Sequence, residues 1–151
     1  MIRLAISKFI TYNDSSLNKF KMRILGIDYG RKKMGLALSD GPLAEPYKIL
    51  RYQDIEILRE KIKKIVKELE IEKVVVGLSE GKMAEETKEF AKNLEEKLGL
   101  SVILQDETLT THEAQDLSIK AGIKRKKRKT MEDAYSAALI LQSYLDSTYN
   151  G

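Results

Sequence analysis

Three apolar runs, at 22–28, 33–39 and 45–51, follow one another with only residues 29–32 and 40–44 between them. A crossover helix needs a dozen or more residues, so these runs are expected to pair as antiparallel neighbours. Downstream the hydrophobic period changes. Residues 54–69 carry Ile55, Leu58, Ile62, Ile65, Val66 and Leu69 at helical spacing. Residues 82–98 do the same with Met83, Thr87, Phe90, Ala91, Leu94 and Leu98, and stop at Gly99. KVVVGL (73–78) and SVILQ (101–105) read as short buried strands. The order predicts an α/β fold with a mixed five-stranded sheet, three antiparallel strands and then parallel ones, flanked by helices. Thr110 and Glu113 have the spacing of a capping box for a helix ending near Gly122. A last helix is expected from about Thr130 to Asp146, with Met131, Ala134, Ala138, Leu141 and Leu145 as its apolar stripe.

A chain of 151 residues suits one such domain. Residues 1–21 look detached from the pattern and are expected to form an N-terminal extension outside the fold. The domain itself is expected over 22–146, with 147–151 as a C-terminal tail. No apolar run approaches the ~20 residues of a membrane span, so no membrane partner is expected. The absence of cysteine excludes thiolate catalysis and Cys-based zinc sites. A single histidine, His112, leaves acid–base or metal chemistry to the carboxylates.

The net charge of +4 is concentrated at one place. Lys124, Arg125, Lys126, Lys127, Arg128 and Lys129 form an unbroken run, and these six exceed the whole surplus of 27 basic over 23 acidic residues. An internal run of this density points to a polyanionic partner, with a solvated loop as the plainer alternative.

Acids stand at the expected strand and helix ends. Asp28 closes the first strand, Asp106 and Glu107 follow the last, and Asp133 opens the final helix. The first and last strand ends are neighbours if the later strands run parallel to the first. Carboxylates ~4 Å apart repel by about 4 kcal/mol at an effective dielectric near 20, so such a cluster needs protons or cations. Magnesium takes oxygen ligands, and two such ions ~3.5–4 Å apart can activate a water and stabilise the leaving oxygen of a phosphodiester. Asp28, Glu107 and Asp133 together fit metal-assisted phosphodiester hydrolysis. Taken singly, Asp28 also fits a turn, Glu107 a loop, and Asp133 the positive end of a helix.

The segments LGIDYGRKKMGLALSD, VVVGL, DETLTTHEA, AGIKRKKRK and EDAYSAALILQSYLD, in that order from Met22 to Asp146, resemble the YqgF/RuvX family of Holliday junction resolvase-like proteins and pre-16S rRNA nucleases. The resemblance implies an RNase H-like fold. It implies Asp28, Glu107 and Asp133 as the acidic, metal-holding site, with magnesium or manganese as cofactor. It also implies a role at the 5′ end of the small-subunit ribosomal RNA precursor in the bacterial cytoplasm. The chain departs from the family pattern at Ser79-Glu80-Gly81, where a loop beginning with Pro is usual, and at Thr108, where Arg is usual.

The leading expectation is a metal-dependent endonuclease acting on structured RNA. Asp28 and Asp133 would hold metal, and Glu107 would be a ligand or orient the attacking water. Lys124 to Lys129 would grip the backbone, while Arg31, Lys32 and Lys33 would meet phosphates. The alternatives are a non-catalytic nucleic-acid-binding module in ribosome assembly or transcription, and a structure-specific DNA junction resolvase. A third is a phosphate-binding ATPase domain, because GIDYGRKKMGLALSD also resembles the phosphate hairpin of the actin/Hsp70 superfamily. That superfamily needs two duplicated lobes, which this length does not supply. Monomer and homodimer both remain open.

Overall fold

The computed structural model describes residues 22–106 and 130–149. Five strands form one sheet: β1 (Ile24–Asp28), β2 (Lys33–Ser39), β3 (Ala44–Arg51), β4 (Lys73–Leu78) and β5 (Val102–Asp106). Their spatial order is β3-β2-β1-β4-β5. β1 and β2 are antiparallel, as are β2 and β3, whereas β4 is parallel to β1 and β5 to β4. The predicted mixed sheet is therefore present. β1 is the strand at which pairing changes from antiparallel to parallel, and Asp28 is its last residue. Pro46, which has no N–H to donate, sits in the edge strand β3, beside a register shift at Leu36/Ala37.

Strand alternation sorts the side chains onto two faces. Leu25 and Ile27 of β1, with Met34, Leu36 and Leu38 of β2 and Val74 and Val76 of β4, face α1 (Ile55–Glu68) and α2 (Lys82–Leu98). Those helices answer with Leu58, Ile62 and Ile65, and with Phe90, Ala91 and Leu94. Asp54 caps α1 by accepting from the Glu56 N–H at 2.8 Å, and Gly99 ends α2 in the left-handed region at φ 67°. On the opposite face Ile24, Ala37 and Val75 meet α3 (Glu132–Tyr149) through Ala137, Ala138, Ile140, Leu141 and Leu145.

α3 approaches the sheet closely because three strand residues facing it are glycines. A Cβ at Gly26 would come within 2.8 Å of the Leu141 Cβ, one at Gly77 would collide with the Ile140 side chain, and one at Gly35 would fall onto the Asp133 carbonyl. α3 also continues three residues beyond the expected Asp146. Ser147 Oγ and Thr148 Oγ1 there donate to the Tyr144 carbonyl at 2.8 and 2.9 Å. Gln142 ties its flank to the β2–β3 turn, accepting from the Ala44 N–H at 2.9 Å and donating to the Pro42 carbonyl at 2.8 Å. The extension expected at 1–21 and the helix expected at 110–122 lie outside the described residues. Among those described, no helix is long and apolar enough to cross a membrane.

Candidate active site at the strand ends

Alternation along β1 puts Asp28 on the same face as Ile24 and Gly26, the face that α3 covers. Its cross-strand partner is Gly35. Directly opposed residues in an antiparallel pair share a face, with Cβ positions about 5 Å apart. Because the position a Cβ of Gly35 would take is filled by the Asp133 carbonyl, the first turn of α3 rests beside Asp28. A larger residue at 35 would lift that turn away. The sheet and the helix thus bring together two acids that are far apart in sequence.

Lys33 opens β2 two residues before Gly35 and so shares its face. Its Nζ lies 3.0 Å from Asp133 Oδ2, with side-chain exposures of 45% and 27%. That is ion-pair distance, but the alignment is not that of a hydrogen bond, and Oδ2 is a buried atom that no hydrogen bond reaches among the described residues.

The hairpin loop between β1 and β2 is held from the other side of the sheet. Tyr29 Oη donates to Glu86 Oε1 at 2.7 Å, and Arg31 Nε and Nη2 donate to Glu86 Oε2 at 3.1 and 3.0 Å. The Tyr29 ring packs on Phe90, with centroids 4.9 Å apart. Tyr52 adds two ties: its Oη donates to the Gly30 carbonyl, and its N–H donates to the Lys32 carbonyl at 3.0 Å. The electrostatics follow these contacts. Hydrogen bonds from Arg31 and then Tyr29 hold the Glu86 carboxyl below the usual carboxylate range. Burial, then the bond to Glu86, pushes the Tyr29 phenol well above its usual value, so it remains a donor. Burial also raises Tyr52.

Beside this clamp is a cleft of about 370 Å³, lined among others by Tyr29, Arg31, Tyr52, Arg59 and Glu86. Glu86 and Glu89 balance its two arginines, so its lining offers no net charge to a polyanion.

Of the residues expected from sequence, Asp28, Asp133 and Lys33 are brought to one strand end. Arg31 turns to the opposite face toward Glu86, and Lys32 is exposed in the loop. Glu107 and Lys124–Lys129 lie outside the described residues. The chain reaches the same edge at Asp106, the last residue of β5, one position before Glu107. No group of three acids or histidines able to hold a metal occurs among the described residues. Two acids alone still fit a small hard cation: their oxygen donors stand on a strand end and a helix start, and Asp133 Oδ2 is buried without a hydrogen bond among the described residues. Glu86 and Tyr52 were not anticipated. The available signal was Glu86 four residues before Phe90 on one helix face, but its partners stand 55 and 57 positions away in the chain.

Comparison with known proteins gives a consistent result. Residues 22–147 match the profile of the RuvX family, described as Holliday junction resolvase. A Listeria innocua protein provisionally named pre-16S rRNA nuclease is 44% identical over 138 residues, covering 84% of this chain and 99% of that protein. Proteins of the same provisional name from Syntrophus aciditrophicus and Thermoanaerobacter pseudethanolicus are 41% and 40% identical, covering 83% and 85% of this chain and 89% and 99% of their own lengths. Among solved structures, Fowlpox virus resolvase in complex with Holliday junction DNA superposes with a TM-score of 0.61 at 15% identity, over 84% of this chain and 99% of that one. RuvC of T. thermophilus, also with a Holliday junction substrate, gives 0.57 at 15% identity, over 85% and 96%. These likenesses establish the fold as the RNase H-like one expected, and the match over residues 22–147 shows that the chain belongs to the RuvX family.

Proposed function

We propose that this chain is a divalent-metal-dependent endonuclease that hydrolyses phosphodiester bonds of structured RNA, and that its substrate is the 5′ region of pre-16S ribosomal RNA in the bacterial cytoplasm. The observation that carries the reading is the convergence of Asp28 and Asp133 through Gly35. Two carboxylates so placed are stable together only when neutralised, and Lys33 meets one of them, Asp133, as an ion pair. Asp28, Asp133 and Glu107 would hold magnesium or manganese, which when bound lowers the pKa of a coordinated water and offsets charge at the phosphate. The protein's own part is to fix the two aspartates on rigid elements, where small positional errors are costly. Lys32 stands exposed in the loop beside this strand end, whereas Arg31 would have to leave Glu86 to reach a phosphate there. Lys124 to Lys129 supply backbone contacts whose strength falls with salt. The working unit on this reading is 22–146, with 1–21 outside it.

The names of the relatives support ribosomal RNA as substrate, and the family description supports a DNA junction, so both belong in one assay. Purified protein is incubated in Mg2+ or Mn2+ with a precursor fragment spanning the 5′ end and, separately, with a four-way DNA junction. Cleavage of the RNA is expected, falling by about 100-fold or more in Asp28→Asn and Asp133→Asn proteins that keep the wild-type circular dichroism. Cleavage by Asp28→Asn at the wild-type rate would contradict the site. Cutting of the junction in preference to the RNA would move the substrate to DNA.

A further inference from the structure

We propose that Lys33 exchanges partners during the reaction: it neutralises Asp133 in the metal-free protein, yields that carboxylate to the divalent ion, and then binds a phosphate of the substrate. This rests on the metal-dependent nuclease reading and adds to it a competition inside the site.

The three hairpin cations are placed differently. Arg31 is committed to Glu86 on the far face. Lys32 is exposed in the loop, where its carbonyl accepts from Tyr52. Lys33 has its ammonium against a site carboxylate, with Nζ 3.0 Å from Asp133 Oδ2. That oxygen is buried and receives no hydrogen bond among the described residues, so this charge contact is its visible compensation.

A divalent ion held by Asp133 would compete with Lys33 for that carboxylate, and the two cations would repel each other. The singly charged, more exposed partner is the one that yields. Lysine suits that role, since its charge is a point on a flexible four-carbon stem and not a planar fork locked in a bidentate pair. With a side chain 45% exposed, Lys33 can swing outward without disturbing the core. Displaced, its ammonium remains on the strand that also carries Gly35 and borders both aspartates, where a polyanion approaching the metal would pass.

The test compares full-length wild type, Lys33→Met and Lys33→Arg by calorimetric titration with Mn2+ alone. Lys33→Met should bind Mn2+ about 3- to 10-fold more tightly than wild type, and Lys33→Arg, which keeps the charge, should stay near wild type. In RNA cleavage at saturating Mn2+, kcat/KM of Lys33→Met should fall. Its log–log salt slope should be shallower by about 0.7–0.9, the share of one phosphate contact. Equal or weaker Mn2+ binding by Lys33→Met overturns the exchange, and so does an unchanged salt slope. If none of the three proteins binds Mn2+, the metal-dependent reading itself fails. If all three bind it equally, only the assignment of Lys33 fails.

Discussion

The loop that follows Asp28 is held from the far face of the sheet by Glu86. Glu86 receives both Tyr29 and Arg31, so the loop following Asp28 is tied to α2 at two side chains. The pH response follows from the sign of its shift. Its carboxyl titrates lower in the fold than when free, chiefly because Arg31 and then Tyr29 donate to the ionised form. The anchor is therefore intact above the ordinary glutamate value of about 4.3 and is lost as pH falls through the lower, folded value. The protection of amides 29–33, taken relative to their intrinsic exchange rates, should stay constant around neutral pH and should drop at acid pH, below the ordinary glutamate range, as Glu86 protonates. Glu86→Gln should exchange faster at neutral pH and lack the acid step. Wild-type exchange rates in Glu86→Gln at neutral pH would show that the clamp does not restrain the hairpin. Asp28 and Asp133 were legible in sequence because an acid at the end of an apolar run, or at a helix start, is visible locally. Glu86 and Tyr52 were not, because their roles exist only once distant segments meet.

At the scale of elements, the decisive contact is α3 on the sheet. Gly26, Gly35 and Gly77 remove the side chains that would hold the helix off, and Ala134, Ala137 and Ala138 keep its own surface thin. Gly35→Ala inserts a methyl where the Asp133 carbonyl sits, which forces the first turn of α3 to shift. Overpacking of this kind costs about 1–3 kcal/mol, to be read from urea unfolding. Mn2+ affinity should fall with it, because Asp133 moves relative to Asp28. Unchanged stability in Gly35→Ala would mean that the helix does not rest on this glycine. Glycine inside an apolar strand is a readable sign of close backbone approach, and LGID, KMGLALS and VVVGL each contain one. What approaches from that face could not be read, since the helical stripe of 130–146 shows that α3 is amphipathic but not which face of the sheet it covers. The strand and helix limits were legible to within a few residues because hydrophobic period and turn residues are local signals. α3 runs three residues past its expected end, where the Ser147 and Thr148 hydroxyls bond back to the helix.

For the whole molecule, the connection lengths carried the strand directions. Two short turns pointed to a meander and helix-length connections to parallel crossovers. Spacing did not set the order: β4 stands between β1 and β5, so the ends of the first and last strands are not the direct neighbours expected. The candidate site lies where the two regimes meet, at the carboxyl end of β1, with the ends of β4 and β5 on the same edge. The central claim is that this edge, with α3 across it, gathers Asp28 and Asp133 around a divalent cation. Anomalous diffraction at the manganese edge, from crystals of the full chain soaked in Mn2+, tests it most directly. The account predicts a peak between the Asp28 and Asp133 carboxylates, with Lys33 Nζ withdrawn from Asp133. A well-occupied peak elsewhere, or none beside these two residues, would contradict it.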